Sequence, residues 1–159
     1  MGAAIYAGVH LGGYAVHRRP NYPGIVCAAL ALFVAGGIWY SVFAGPWSAA
    51  VSLNGQPAAP GVMRFVVALV AAWLAAYALD NVLSFADEQT AGRGARIGFF
   101  LGVCVFGSML VTIDFFEGRV GALIAIDAAY GVVGLTLAGA VVGAFRSRAK
   151  RAIAPDAAV

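Results

Sequence analysis

Charged side chains are scarce in this sequence. Only 11% of its 159 residues are Asp, Glu, Lys or Arg, whereas 62% are hydrophobic, and the mean hydropathy is +0.89. Soluble domains have about 25% charged and about 45–50% apolar residues. A water-soluble domain of this size could not cover its surface with so few charges. The composition therefore excludes an ordinary soluble domain and predicts a membrane protein.

Cysteine is equally rare. Cys27 and Cys104 are the only two and lie 77 positions apart, and neither belongs to a CxxC pair or a Cys/His cluster. Both lie in apolar runs, where a free thiol usually packs as a small hydrophobe. The sequence therefore predicts no disulfide framework and no redox or ligand role for these thiols.

The sequence also lacks the motifs of hydrolytic, metal-dependent and nucleotide chemistry, including HExxH, the P-loop and GxSxG. The string GRGARIG (92–98) is similar to a phosphate-binding fingerprint, but its glycine spacing is one residue too long and it follows an apolar helix. We expect it to form a loop. His10 and His17 have no clustered ligands nearby and are interpreted as solvated or interfacial residues. We predict no catalytic residue, no cofactor and no bound metal, and expect the protein not to be an enzyme.

Four apolar runs are long enough for helices that cross a hydrocarbon core, which needs about 20 residues. They predict an all-α, polytopic membrane protein with a four-helix transmembrane bundle over residues 23–145. The predicted spans are 23–43, 62–85, 96–113 and 119–145. Residues 1–22 are expected to form a cytoplasmic or interfacial arm, and 146–159 a basic cytoplasmic tail.

Basic residues are distributed unequally over the two sides of this predicted bundle. Arg64 and Arg119 lie on one side, and eight lie on the other. The positive-inside rule therefore predicts that both termini are cytoplasmic. The eight are Arg18, Arg19, Arg93, Arg96, Arg146, Arg148, Lys150 and Arg151. The tail RSRAKR is interpreted as a cytoplasmic anchor and not as a nucleic-acid patch.

The longest linker, 44–61, contains three prolines and three residues that would share a helical face. Pro46 suits the first turn of a short helix, and Asn54-Gly55 would end it. The shared face comprises Trp47, Ala50 and Val51. We expect this helix to lie on the outer membrane surface, since tryptophan favours the interface.

One carboxylate is placed inside the fourth run. A charge at bilayer depth costs a few kcal/mol, so Asp127 is expected to face the bundle interior. It shares a helical face with Tyr130 and Gly131. Counting along the third span brings Ser108 and Thr112 to a similar level, as candidate partners. Asp127 and Tyr130 could be hydrogen-bonding glue between helices, or part of a proton, cation or solute site.

Asp80 lies near the inner end of the second span. We expect it to have an interfacial role, with Asn81, water and Arg93 or Arg96 as its partners. Two glycine pairs, Gly98-xxx-Gly102 and Gly139-xxx-Gly143, predict surfaces for close helix packing.

Two stretches carry a family resemblance. GGIWYSVFAGPW (36–47) and FFEGRVGALIAIDAAYGVVGLTLAGAVVGAF (115–145) are similar to the first and last spans of the DUF1761 family of small bacterial membrane proteins. The resemblance extends from Pro23 to Phe145. It implies a four-helix integral membrane protein and supplies no activity. The positions that match its pattern are Trp39, Tyr40, Trp47, Asp127, Tyr130 and Gly131.

Three functions are compatible with this sequence. The first is a structural or interaction bundle that contacts a second copy or another membrane protein through its glycine-rich faces. The second is a small permease, channel or ligand-binding protein that uses Asp127. A membrane-embedded enzyme is the least favoured, because only one deep carboxylate is evident. The lipid bilayer, here a bacterial cytoplasmic membrane, is the expected surrounding, and no nucleic acid is expected as a partner.

Overall fold

The computed structural model describes residues 20–53, 61–85 and 89–153, which form helices and contain no strand. The predictions for residues 1–19, including His10 and His17, and for the last six residues lie outside the described ones. Helices are α1 (Tyr22–Val42), α2 (Ala44–Leu53), α3 (Met63–Ser84), α4 (Ala91–Leu101), α5 (Ser108–Phe116) and α6 (Gly121–Ile153). A π-helical turn, Gly102–Gly107, joins α4 to α5.

Four helical segments of the described chain are long and apolar enough to cross a membrane. They are α1, α3, the continuous segment Ala91–Phe116 and the first part of α6, Gly121–Arg146. The predicted fold class, an all-α polytopic membrane protein with four long helices, is thereby confirmed. Successive long helices run antiparallel, so α1 begins at the end of the bundle where α3 finishes.

The third long helix begins earlier than the sequence predicted. Thr90 accepts a hydrogen bond from the backbone N–H of Arg93 through its hydroxyl (3.2 Å) and so caps a helix that begins at Ala91. The segment 92–98 is therefore helical, and the expectation that it forms a loop was wrong. The glycines of this segment have a low helix propensity, but Gly94 and Gly98 allow close packing against α6, which stabilises the helix.

Helix α2 is the short helix predicted in the longest linker. It starts two residues before Pro46, which lies in the first turn, where its missing N–H costs no helical hydrogen bond. Trp47 and Val51 are half-buried and Ala50 is buried, against α1 and α6. Helix α6 in turn continues to Ile153, beyond the predicted start of the tail at residue 146.

The closest helix contact joins α4 to α6 and depends on glycine. A Cβ atom at Gly94 or Gly98 would collide with a backbone carbonyl of α6, at Gly139 and Leu135 respectively. A Cβ at Gly143 would likewise meet the carbonyl of Thr90. Both predicted glycine pairs therefore lie inside the bundle, where their lack of side chains lets the two backbones touch.

Helix α3 packs against the other described helices along only part of its length. From Ala72 onward it contributes Ala72, Ala76, Leu79 and Leu83 to the apolar core, and it packs against α1, α6 and the first part of the third long helix. Residues 61–71, by contrast, are all exposed. Within the described chain, α3 makes no contact with the π-helical turn or with α5.

Candidate functional site

Asp127 lies close to the start of α6, where a hydroxyl of α1 meets it. The Tyr40 hydroxyl donates a hydrogen bond to Asp127 Oδ1 (2.9 Å). Asp127 follows Gly121 by six residues, or about 9 Å along the helix axis. We call this end of the bundle the Asp127 end. The carboxylate is therefore about one and a half turns from a helix terminus.

Two further hydrogen bonds join α1 to α6 beside this pair. The Trp39 indole N–H donates to the Ile126 carbonyl (3.2 Å), and the Tyr130 hydroxyl donates to the Leu32 carbonyl (3.2 Å). Gly36 makes room for the second bond, because a Cβ there would lie 2.7 Å from the Tyr130 hydroxyl oxygen. Donors from both helices thus hold the same interface.

Aromatic rings surround the Asp127–Tyr40 pair. Tyr40 packs edge-on against Trp47 of α2, with 5.6 Å between ring centroids, and at 5.3 Å from Tyr130. The Trp47 indole nitrogen is buried and has no hydrogen-bond partner among the described residues. Asp127 is half-buried, and its second oxygen accepts no hydrogen bond within the described residues.

The hydroxyls proposed as partners of Asp127 act elsewhere. Ser108 donates to the carbonyl of Cys104 (2.7 Å), and Thr112 donates to the carbonyl of Ser108 (2.7 Å). Both side chains are exposed and serve their own helix. The prediction that they pair with Asp127 was wrong, because equal depth along two helices does not place two residues on facing sides. Gly131 instead receives the ring of Phe106, which a Cβ would displace.

A second polar group lies at the same end of the bundle. Arg119 Nε is 3.2 Å from Asp114 Oδ1 and 2.9 Å from Glu117 Oε2. Gly118 adopts a positive φ of 69°, and backbone N–H groups beyond the helix bond to the Asp114 and Phe115 carbonyls. This Schellman motif ends α5 and turns Arg119 back toward Asp114.

The third polar group is at the opposite end, which we call the Asp80 end. Arg146 Nε and Nη2 each donate to one oxygen of Asp80, both at 2.7 Å. The Asn21 backbone N–H adds a bond to Asp80 Oδ2 (3.1 Å), while the Asn21 side chain caps α1 by accepting from the Gly24 N–H. Asp80 is fully buried and Arg146 is 6% exposed. One carboxylate therefore joins the ends of three long helices.

This pair corrects two expectations. Asp80 was expected to contact Asn81, Arg93 or Arg96, and Arg146 was expected to belong to a solvated tail. Asn81 instead donates to its own helix at the Tyr77 carbonyl (2.8 Å). Asp80 and Arg146 each lie near the C-terminal end of a predicted span, on the same side of the membrane, and this placement could have predicted the pair. The prediction used Arg146 only to orient the bundle in the membrane and therefore missed that its guanidinium pairs with a carboxylate.

The cysteines take no part in these groups. Cys27 and Cys104 are free thiols and are exposed on the outside of the helices. Among the described residues, no three His, Cys, Asp or Glu side chains are grouped to hold a metal ion. The Asp127 and Asp80 groups form hydrogen bonds between helices, whereas the Arg119 group forms its ion pairs at the end of α5. One oxygen of Asp127 and one of Asp114 accept no hydrogen bond within the described residues.

Four long apolar helices with polar side chains paired between them define an all-α, multi-pass membrane protein. A family model described as "Protein of unknown function (DUF1761)" matches residues 23–143. Because this match covers more than half of the chain, the chain belongs to the DUF1761 family. No curated protein and no solved structure matches the chain.

Proposed function

We propose that this protein is a structural or interaction protein of the membrane, built to present a fixed helical surface to a second copy or to another membrane protein. The observation that carries the proposal is the Tyr40–Asp127 hydrogen bond, which uses the intramembrane carboxylate to hold α1 on α6. An aspartate so employed acts as polar glue between helices.

The surface available for association is not the glycine face. Those glycines are covered inside the bundle. Residues 61–71 of the chain, by contrast, are exposed on every side, and Phe65, Val67 and Val70 are all more than half exposed. A half-helix without helical neighbours gains packing when a second membrane helix lies against it. We therefore assign the interaction to the first half of α3.

Cross-linking in membranes tests this assignment. Cys27 and Cys104 are first replaced by Ala, and a single Cys is then placed at Val67. The matched control places it at Val133, an exposed residue of α6. We expect Val67→Cys to form a cross-linked product under oxidation and Val133→Cys to form none. Equal cross-linking at both positions, or at neither, would contradict the assignment to α3.

A second function, a small permease or ligand-binding protein, is favoured by one specific observation. One oxygen of Asp127 accepts no hydrogen bond within the described chain, and the buried Trp47 N–H beside it lacks a partner. A proton or cation could bind the carboxylate oxygen, and a polar solute with both a donor and an acceptor could use both groups. Flux measurements in reconstituted vesicles separate the two functions. We expect no proton or cation flux, whereas flux in the wild type that Asp127→Asn abolishes would establish the permease.

The proposed location is a bacterial cytoplasmic membrane with both termini in the cytoplasm. Its support is the unequal distribution of basic residues over the two ends of the bundle, since basic loops are retained on the cytoplasmic side. A C-terminal reporter enzyme that is active only in the cytoplasm tests this orientation. Activity restricted to the opposite compartment would reverse it.

A further inference from the structure

A lateral groove opens between α3 and the third long helix. It forms because α3 leaves the bundle without touching the π-helical turn or α5. Ala75, Ala78 and Val82 line one wall, Val105, Met109 and Ile113 line the other, and the volume is about 680 Å³. Sites for small molecules typically have about 300–1,000 Å³. The groove therefore has the size and the apolar walls to hold an alkyl chain.

Among the described residues that line the groove, Asp114 is the one with an ionisable side chain. The residue is 4% exposed, and its Oδ1 is paired with Arg119. Its Oδ2 is buried and accepts no hydrogen bond within the described part of the chain. A buried carboxylate oxygen without a donor is unfavourable, and a donor at the end of a chain in the groove would satisfy it.

The local charge decides the kind of donor. Asp114, Glu117 and Arg119 contribute two carboxylates and one guanidinium, so this group carries one net negative charge. An ammonium supplies both a compensating charge and N–H donors. A phospholipid head group would add a phosphate charge beside two carboxylates, and a fatty acid would add a third carboxylate. The charge thus favours a cation without an attached anion.

The π-helical turn is a second, independent observation that indicates a binding site at this groove. Such turns are rare and frequently mark functional sites. Here the turn Gly102–Gly107 contributes Val105 and Phe106 to the lining of the groove.

From these observations we propose that the groove between α3 and α5 binds a single-chain amphiphilic amine from the membrane, with its alkyl chain along the groove and its ammonium group on Asp114. The site uses Asp114 of α5 and neither member of the Asp127–Tyr40 pair, so the proposal does not rest on the proposed structural role.

Binding of dodecylamine to the full chain in phosphatidylcholine nanodiscs tests the proposal, after subtraction of binding to empty nanodiscs. We expect saturable binding of one molecule per chain. Dodecanol and dodecanoate, which lack the positive charge, should compete at least about tenfold more weakly, as expected when a charge-assisted hydrogen bond is lost. Binding that does not saturate, equal competition by dodecanol, or displacement by phosphatidylethanolamine would each overturn it.

Variants locate the site. Asp114→Asn should weaken dodecylamine binding at least about tenfold. Glu117→Gln, which alters a 48% exposed carboxylate of the same group, should have a smaller effect. Ala78→Phe fills the groove from its α3 wall, leaves the Asp114 carboxylate chemically unchanged and should also abolish saturable binding. Its matched control, Ala125→Phe, adds the same ring to an exposed position of α6 outside the groove and should bind like the wild type. Wild-type affinity in Ala78→Phe would overturn the proposal even if Asp114→Asn fails to fold.

Discussion

The indole rings of Trp39 and Trp47 lie in the same aromatic cluster but differ in hydrogen bonding. Trp39 donates to the Ile126 carbonyl, whereas the Trp47 N–H is buried and has no partner within the part of the chain that the structure describes. The first N–H contributes to the α1–α6 interface. The second is a polar group removed from water without compensation, which is unfavourable. At the scale of single residues, the indole N–H of Trp39 is therefore expected to stabilise the fold, and that of Trp47 to destabilise it.

The same substitution at both positions tests this difference. Trp39→Phe removes a hydrogen bond between helices and should lower the free energy of unfolding by about 0.5–2 kcal/mol more than Trp47→Phe does. Both changes remove the same atoms, so the loss of ring volume largely cancels in the comparison. Unfolding in mixed micelles with increasing sodium dodecyl sulfate measures the two values. Equal destabilisation would show that the Trp39 bond contributes nothing.

Tyr40 permits a second prediction at this scale. Tyr40→Phe removes the donor to Asp127 and should lower the free energy of unfolding by about 0.5–2 kcal/mol. Tyr77→Phe is the matched control, because Tyr77 is exposed on α3 and its hydroxyl makes no hydrogen bond among the described residues. The same unfolding assay measures both. A loss in Tyr77→Phe as large as in Tyr40→Phe would contradict the role assigned to the bond.

The sequence predicted interactions within one helix better than contacts between two helices. The inward orientation predicted for Asp127 and Tyr130 rests on helical periodicity, and both contact α1 in the structure. The identity of the Asp127 partner depends on how α1 rotates against α6. No periodicity within one helix specifies that rotation, which is why Ser108 was preferred to Tyr40. The Arg119–Asp114 pair, by contrast, could have been predicted from the sequence, because glycine is the residue type that closes a Schellman motif and Gly118 stands at that position.

At the scale of helices, the contact between α4 and α6 distinguishes glycines that permit packing from glycines that do not. A Cβ at Gly98 would meet the Leu135 carbonyl, whereas a Cβ at Gly92 would meet nothing within 4 Å. Both residues lie in α4 and differ only in what faces them. The first glycine sets the distance between two helices, and the second only lowers helix propensity.

Alanine substitutions at these two glycines should change stability in opposite directions. Gly98→Ala forces the α4 and α6 backbones apart and should cost about 1–3 kcal/mol. Gly92→Ala should be neutral or stabilise by up to about 1 kcal/mol, because alanine has the higher helix propensity. Thermal unfolding in detergent, followed by circular dichroism, measures both. Tolerance of Gly98→Ala would mean that α4 and α6 are not in direct backbone contact.

The sequence predicted the helices better than their ends. Long apolar runs identify spans, and the glycine pairs were correctly read as packing surfaces. The start of the third helix was missed because the prediction placed a loop at 92–98 and overlooked the cap at Thr90. The π-helical turn has no pattern in hydropathy, so only the structure reveals it.

At the scale of the whole molecule, polar groups hold the bundle at its two ends, and glycines and small apolar side chains fill the space between them. At the Asp80 end, one carboxylate connects α1, α3 and α6. The pair is among the most buried polar groups of the described chain. Its members compensate each other, so removing only one leaves an uncompensated buried charge.

A double-mutant cycle measures this compensation. Asp80→Asn and Arg146→Gln should each lower the free energy of unfolding by about 3–5 kcal/mol, and the double variant should lose clearly less than the sum. Arg96→Gln is the control, because Arg96 is exposed and makes no ion pair within the described chain. Unfolding in mixed micelles supplies the four values. Strict additivity would mean that the two side chains do not interact.

The separation of Asp80 and Arg146 in the sequence also affects biosynthesis. They are 66 residues apart, and a ribosome adds about 5–20 residues per second. The second span therefore leaves the ribosome with its acid unpaired for about 3–13 seconds before the guanidinium is made. Until then a proton, water at the membrane surface or an insertion factor must shield that acid. A nascent chain released before codon 146 would keep this exposed defect and become a substrate for membrane proteases.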